Sequence, residues 1–468
     1  MPPRNLLIIA LTIVVALACY SMAAKNRYAN LFAEALEVID RQSLREVPRQ
    51  ELFRSAMNGM MDQFDDHSMY ISDEMFQAFD EEMRQEFGGV GMYVEVDPDT
   101  NQLAVLAPMP NTPAWEAGLQ VGDQIVTVDG QPTKDRQRRD TLKMLRGPVG
   151  KKVVLEIARD GQMMTKELVR RIIPVDSLHG DSLQMNGSWE FQLEDYPRIG
   201  YLRLTQFGEK SALEIRKALS ELEGKMDGII LDLRSNSGGL LDVAVEICDM
   251  MLPADLAIVR TLGRNKKVVD EYFSTSMMAL DPSIPMCVLI DRSSASASEI
   301  VAGCLQDHGR ATVIGEQSWG KGTVQNVIPL QRGQSAIKIT TASYWRPSGK
   351  NIDREDEESQ KTKIWGVQPS SGFEVDLTEN EAIDNIRFIG IRELKSLVTP
   401  DQLEYIRKLR TQNFSAMPTE NSPQKDDENN SAASEPTSIG NDDHRDLPLE
   451  KAINHIRQIV ERESQIAA

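Results

Sequence analysis

Two apolar runs, Ile229-Ile230-Leu231-Asp232-Leu233 and Met286-Cys287-Val288-Leu289-Ile290, each empty into a turn of small residues and then into a helical pattern. Short apolar runs bounded in this way read as buried strands. From Arg198 onward the alternation is sustained. Strands are expected over 199–204, 228–233, 286–290, 312–314 and 336–341, and helices over 211–222, 240–251 and 296–308. Such alternation lays helices on a largely parallel sheet, and it defines an α/β core over residues 173–395.

The chain of 468 residues is too long for one ordinary domain. Residues 26–84 read as helical, with a turn at Asp65-Asp66-His67-Ser68 and an acidic helix running from a cap at Ser72 to Phe87. Residues 85–172 change to short strands and tight turns. Strands are expected at 92–96, 103–107, 124–128 and 153–158, and short helices at 114–119 and 135–145. About 85 residues of this kind can fold alone. A helix follows over 396–412. Residues 413–447, rich in Asn, Ser, Pro, Asp and Glu, form a polar linker that cannot build a core. Residues 448–468 return as an amphipathic helix (Leu449, Ala452, Ile453, Ile456, Ile459, Val460) that is expected to pack on the rest.

At the other end, residues 6–24 are apolar almost throughout, flanked by Arg4 and by Lys25 and Arg27. About 19 residues at 1.5 Å rise approach the thickness of a bilayer core. Two readings compete for residues 1–25: a retained signal anchor, or a signal peptide cleaved after Ser21-Met22-Ala23. Either exports the remainder to an extracytoplasmic or periplasmic location. With 52 basic residues against 71 acidic, the net charge of −19 argues against a nucleic-acid partner. Of four cysteines none forms a Cys-x-x-Cys pair, and the five histidines show no metal-ligand spacing, so neither a metal nor another cofactor is expected.

The chemistry concentrates at Ser294-Ala295-Ser296-Ala297-Ser298-Glu299. Ser296-x-x-Glu299 has the form of an ordinary capping box. Yet a serine at a helix N-terminus also sits where backbone N–H groups and the positive end of the helix dipole converge, the field a tetrahedral oxyanion requires. Further on, Gly320-Lys321-Gly322-Thr323-Val324-Gln325 offers a lysine between glycines, open to close approach and partial burial. Burial favours the neutral amine, the form able to act as a base toward a serine hydroxyl. Gln325 lies on the same strand face as Lys321 and can orient its amine. Paired glycines at Gly238 and Gly239, after a strand and before a helix, can aim N–H groups into a cleft.

These motifs resemble the carboxyl-terminal processing proteases, related to the tail-specific proteases. The resemblance runs from about residue 30 to about 370 and rests on Ser-Ala-Ser-Ala-Ser-Glu-Ile, Gly-Lys-Gly-Thr-Val-Gln and Asp-Leu-Arg-x-Asn-x-Gly-Gly. It implies a crotonase- or ClpP-like sheet with packed helices, an inserted PDZ domain, and an N-terminal helical segment. It implies Ser296 as nucleophile, Lys321 as general base, Gln325 as the residue orienting it, and oxyanion donors at Ala297 and at Gly238 or Gly239. Asp307 matches a family aspartate sometimes counted with the active residues, and a role in orienting the helix or a loop fits it better than proton transfer. His67 is expected to be structural. Ser235 and Ser237 stand where the family often has Asn and Pro, and Asp291-Arg292-Ser293 replaces a more usual lead-in.

Gly88-Gly89-Val90-Gly91 resembles a PDZ carboxylate-binding loop. The amides about Gly89, Val90, Gly91 and Met92 would receive a peptide C-terminus added as a strand, with Leu142 and Leu145 lining the side-chain pocket. The function expected is a serine endopeptidase that cleaves C-terminal regions of exported or unfolded polypeptides, with an adaptor or a second copy of the chain left open as partners. The alternatives are a catalytically silent PDZ scaffold at the membrane, an acyl-CoA enzyme, and a Ser/His/Asp hydrolase. The last is disfavoured because twelve helical residues put His308 about 18 Å from Ser296.

Overall fold

A computed structural model describes residues 11–15, 27–136, 138–330, 332–414 and 445–467. Of the apolar stretch 6–24 only 11–15 are described, as helix, and most of the 413–447 linker lies outside the described residues. Among the described residues no helix is long and apolar enough to cross a membrane. The chain divides into two compact units, residues 1–76 with 325–340, and residues 77–324 with 341–468.

In the first unit, helices Arg27–Gln42 and Arg49–Met61 precede the strand Met69–Ile71. This strand pairs antiparallel with Ala336, Ile337 and Lys338. Met57, Met61 and Tyr70 are buried against Phe53, Leu330 and Ile337. Ser68 ties the turn down: its hydroxyl donates to Asp65 and accepts the Thr340 N–H.

The larger unit holds the expected α/β core. Strands Tyr196–Leu204, Gly228–Asp232, Met286–Ile290 and Thr312–Gly315 run parallel in that order. Side chains alternate cleanly between the two faces. Ile229, Leu231, Met286, Val288 and Ile290 pack against helices Ser211–Leu222, Leu241–Met251 and Ala297–Asp307. Ile230, Cys287, Leu289 and Ile314 face the other way, onto Leu449, Ala452, Ile453 and Ile456 of the terminal helix Leu447–Ala467. A parallel sheet needs both faces covered, and the amphipathic terminal helix supplies the second cover. It lies so close that a Cβ on Gly228 would stand 2.2 Å from Ile456 Cγ2.

The β-rich domain is an antiparallel sheet in the order 92–97, 102–108, 124–128, 152–159, 162–169. The last strand, Gln162–Val169, was not foreseen. The acidic helix ends at Met83 rather than Phe87, because Glu86–Gly89 is a strand paired with Arg171–Pro174. Strand Gln102–Pro108 is buried on both faces. Leu103 and Val105 enter the domain core, while Ala104, Leu106 and Ala107 meet Leu394, Ile406 and Leu409. The latter come from the helix pair Glu379–Leu394 and Pro400–Phe414. Cys248, Cys287 and Cys304 are buried free thiols.

Candidate active site

Three serines alternate through the 294–298 run, and the structure gives each a different task. Ser294 Oγ donates to the Leu233 carbonyl (2.8 Å), and Ser298 Oγ donates to the Asn236 carbonyl (2.9 Å). Both are fully buried fasteners. Ser296, 7% exposed, sits ahead of helix Ala297–Asp307 at φ 55°, ψ −112°. A non-glycine residue held at positive φ stores local strain, which persists only where the surroundings over-determine it. Tyr344 lies beside Ser296; burial pushes the phenol pKa up to about 12, and the neighbouring Ser296 hydroxyl opposes the rise.

Glu299 is the anchor of the site. One of its oxygens accepts the N–H groups of Ser296 (2.7 Å) and Lys321 (2.9 Å). The other accepts the N–H of Gly320 and the hydroxyl of Ser318, both at 2.6 Å. Two amides that share one oxygen are necessarily close neighbours, so the nucleophile candidate and the lysine-bearing loop hang from one carboxylate. Burial raises the pKa of Glu299, and the bonds from Ser318, Gly320, Ser296 and Lys321 oppose the rise. Glycine is needed beside Lys321, because a Cβ on Gly322 would stand 2.3 Å from the Asp353 nitrogen. The Gly322 carbonyl accepts the Tyr344 N–H at 2.7 Å, which brings the tyrosine to the same place.

The glycine turn closes the opposite side. Gly238 has φ +105°, and a Cβ there would meet the Ala295 oxygen, Ser296 Cβ and the Ala297 nitrogen at 2.8, 2.9 and 3.0 Å. The predicted convergence of Gly238, Ala297 and Ser296 is therefore present. Of the two expected glycine donors, Gly238 has its N–H engaged within the turn, donating to Asn236 Oδ1 (2.8 Å). Asp291 clasps this turn to the serine loop by accepting the N–H groups of Ser235, Ser293 and Ser294. The unusual lead-in at 291–293 is thus structural.

Asp307 stands at the far end of the helix, paired with Arg346 (2.5 Å) and accepting the Ser348 N–H (3.1 Å). It braces a turn and touches neither Ser296 nor Lys321. His308 caps the same helix end, its ring bonded to the Ala257 carbonyl (2.6 Å), so no Ser/His/Asp triad forms here. Gln325 belongs to the first unit, where its amide donates to Thr340 Oγ1 (3.2 Å). The orienting role toward Lys321 remains an expectation of the strand spacing and of the resemblance. No cluster that would hold a metal ion occurs among the described residues.

In the β-rich domain the glycine-rich stretch is only partly a loop. Gly88 and Gly89 are extended and paired with Ile172 and Arg171. The turn proper is Val90-Gly91. The Val90 carbonyl accepts the Ala114 N–H (2.8 Å), and the Gly91 carbonyl accepts Met109 N–H (3.1 Å) and Thr112 Oγ1 (2.9 Å). In a trans peptide the following N–H points the opposite way, so the amides of Gly91 and Met92 face away from those partners. Strand Met92–Asp97 is the sheet edge. Leu145 is buried and Leu142 half-buried in the domain core, on helix Arg138–Leu145. Arg138 Nη2 donates to the Val94 carbonyl (3.4 Å), across the groove between that helix and the edge strand.

This arrangement suits acyl transfer to a serine, served by a domain with an edge strand and a glycine turn fitted to a peptide end. The chain belongs to peptidase family S41, the serine peptidases whose family model matches residues 198–369, and a PDZ domain model matches residues 105–159. It is 37% identical over 349 residues to a carboxy-terminal-processing protease of Bartonella bacilliformis, covering 73% of this chain and 76% of that one. A carboxyl-terminal-processing protease of Synechocystis sp. is 39% identical, covering 58% of this chain and 61% of the relative. Carboxy-terminal processing protease CtpB of Bacillus subtilis is 30% identical, covering 70% and 66%. The enzyme is thus a serine protease of mixed α/β fold with a PDZ domain.

Sequence reasoning passed over Asp291, Glu299 and Tyr344 as site residues. Glu299 was visible only as a helix cap, and nothing local in the sequence marks its bonds to the 318–321 loop.

Proposed function

We propose that this peptidase cuts polypeptides in their C-terminal regions, with Ser296 as nucleophile, Lys321 as base and the PDZ domain holding the substrate's free C-terminus. The observation that carries this reading is the shared Glu299 oxygen, on which the amides of Ser296 and Lys321 meet. Neutral Lys321 takes the Ser296 proton as the oxygen attacks the scissile carbonyl. The oxyanion is received by the N–H groups of Gly239 and Ala297. Lys321 then protonates the departing amine, and water, deprotonated in its turn by Lys321, releases the acyl group from Ser296.

The names of the relatives support C-terminal processing as the substrate class. Four parallel strands with helices on both faces are compatible with a crotonase- or ClpP-like core. The apolar stretch 6–24 and its basic flanks favour an exported enzyme held at, or released from, a membrane. Arg138 on the Val94 carbonyl implies that the guanidinium moves aside when a peptide strand adds there.

The test is digestion of an unfolded protein with an apolar C-terminus by the full chain. Ser296→Ala and Lys321→Ala are expected to abolish cleavage, with His308→Ala still active. Undiminished cleavage by Lys321→Ala would remove the base from the mechanism.

A further inference from the structure

Asp446, just ahead of the terminal helix, is buried although no step of the chemistry uses it. Its two oxygens accept Arg234 Nη1 (2.7 Å) and Nη2 (2.9 Å). On the other side Asp232 takes Arg234 Nε (2.9 Å), Nη2 (2.6 Å) and backbone N–H (3.0 Å), together with the Tyr201 hydroxyl (2.8 Å). Burial works against the Arg234 charge, but Asp232 and Asp446 hold its pKa well above the ordinary value. A buried guanidinium between two buried carboxylates is a rigid joint, because losing either partner leaves an uncompensated charge.

That joint is the root of the glycine turn. From Arg234 the chain passes through Ser235 at φ +59° to Gly238 at +105° and Gly239 at +149°, the residues set against Ser296. Side-chain anchors set the path of so contorted a stretch, and Arg234 is its first. Asp446 is also the cap of the terminal helix. Its Oδ1 accepts the Leu449 N–H (3.2 Å), and its carbonyl accepts that of Glu450 (2.9 Å). One side chain thus joins the helix covering the back of the sheet to the turn at its front edge.

We infer that Asp446 is a positioning residue for the peptidase reaction: acting through Arg234, it sets the Gly238-Gly239 turn against Ser296, so the site is competent only with the terminal helix seated. The inference rests on the reading of Ser296 as nucleophile and Gly239 as oxyanion donor.

The test compares full-length Asp446→Asn, Asp446→Ala and Asp446→Glu with the parent enzyme. Three quantities are measured: steady-state cleavage of a peptide, affinity for a peptide boronate of the same sequence, which forms a tetrahedral adduct on serine, and affinity for the unreactive peptide amide. Asp446→Asn and Asp446→Ala should lower kcat ten- to a hundredfold with KM nearly unchanged. Boronate affinity should fall by a similar factor and amide affinity should hold. Asp446→Glu should recover much of the loss. If Asp446→Ala does not fold, Asp446→Asn decides. Parental kcat and boronate affinity in folded Asp446→Asn would overturn the inference, as would a loss matching only the unfolded fraction. Ser296→Ala separates the two claims. Turnover surviving in that variant defeats the reading of the site itself, whereas a dead Ser296→Ala beside a fully active Asp446→Asn defeats only the role of Asp446.

Discussion

A carboxylate that accepts four bonds cannot be replaced by its amide without turning a donor toward donors. Glu299 receives Ser296, Lys321, Gly320 and Ser318, and it is fully buried. Glu299→Gln offers one acceptor oxygen and points an NH2 group at N–H groups. The expected cost is about 2–4 kcal/mol of stability, since each charge-assisted bond contributes roughly 1.5–3 kcal/mol. Cleavage should fall at least tenfold even where the variant is fully folded, because the Lys321 loop loses its tether to Ser296. Thermal unfolding alongside kinetics checks both parts; wild-type turnover in the folded variant would contradict the tether. At this scale the nearness of Ser296 and Lys321 was legible from motif and spacing. Glu299 was legible as half of a capping box and no further. Asp446 was invisible, because its partner Arg234 lies 212 residues away in the chain.

Elements were legible where periodicity and burial agree. Strands Gln124–Val128 and Met286–Ile290 and helix Ser211–Leu222 have the bounds that their apolar pattern dictates. Strand Gln162–Val169 escaped because one face is mostly solvated and its Gln, Lys and Glu residues mask the alternation. Helix Glu379–Leu394 was absorbed into the core reading, although it fastens the sheet edge through Glu393. This carboxylate accepts Arg203 Nη1 (2.7 Å) and lies 2.9 Å from His179 Nδ1. Burial would raise its pKa, but His179, Arg203 and Arg392 outweigh burial and lower it to about 2. A depressed carboxylate contributes stability in full above its unfolded value, near 4.5, and loses it as pH falls through the folded one. The contribution is on the order of 3 kcal/mol. Urea unfolding should therefore show a loss between about pH 4.5 and pH 2 that is largely absent in Glu393→Gln, whose stability is already reduced at pH 7. An unchanged difference between the two proteins across that range would exclude the ion pair as its source.

For the molecule as a whole, the terminal helix matters more than its place after a polar linker implies. Ile456 is 1% exposed and packs where the sheet has only Gly228 to offer. Ile456→Ala should cost about 2–5 kcal/mol in denaturant unfolding, the price of a cavity in a close-packed core. A change below about 1 kcal/mol would show that the helix merely decorates the surface. The same contacts govern the order in which the chain can assemble. Ile230, Cys287, Leu289 and Ile314 belong to strands made long before residues 447–467 emerge, and the bond from Cys287 to the Ala452 carbonyl spans 165 positions. Contacts so distant in sequence form late, after loop closure has been met by other interactions. Until then one apolar face of the sheet stands open, a surface that invites aggregation or a chaperone. A stop codon anywhere before Asp446 would make that condition permanent.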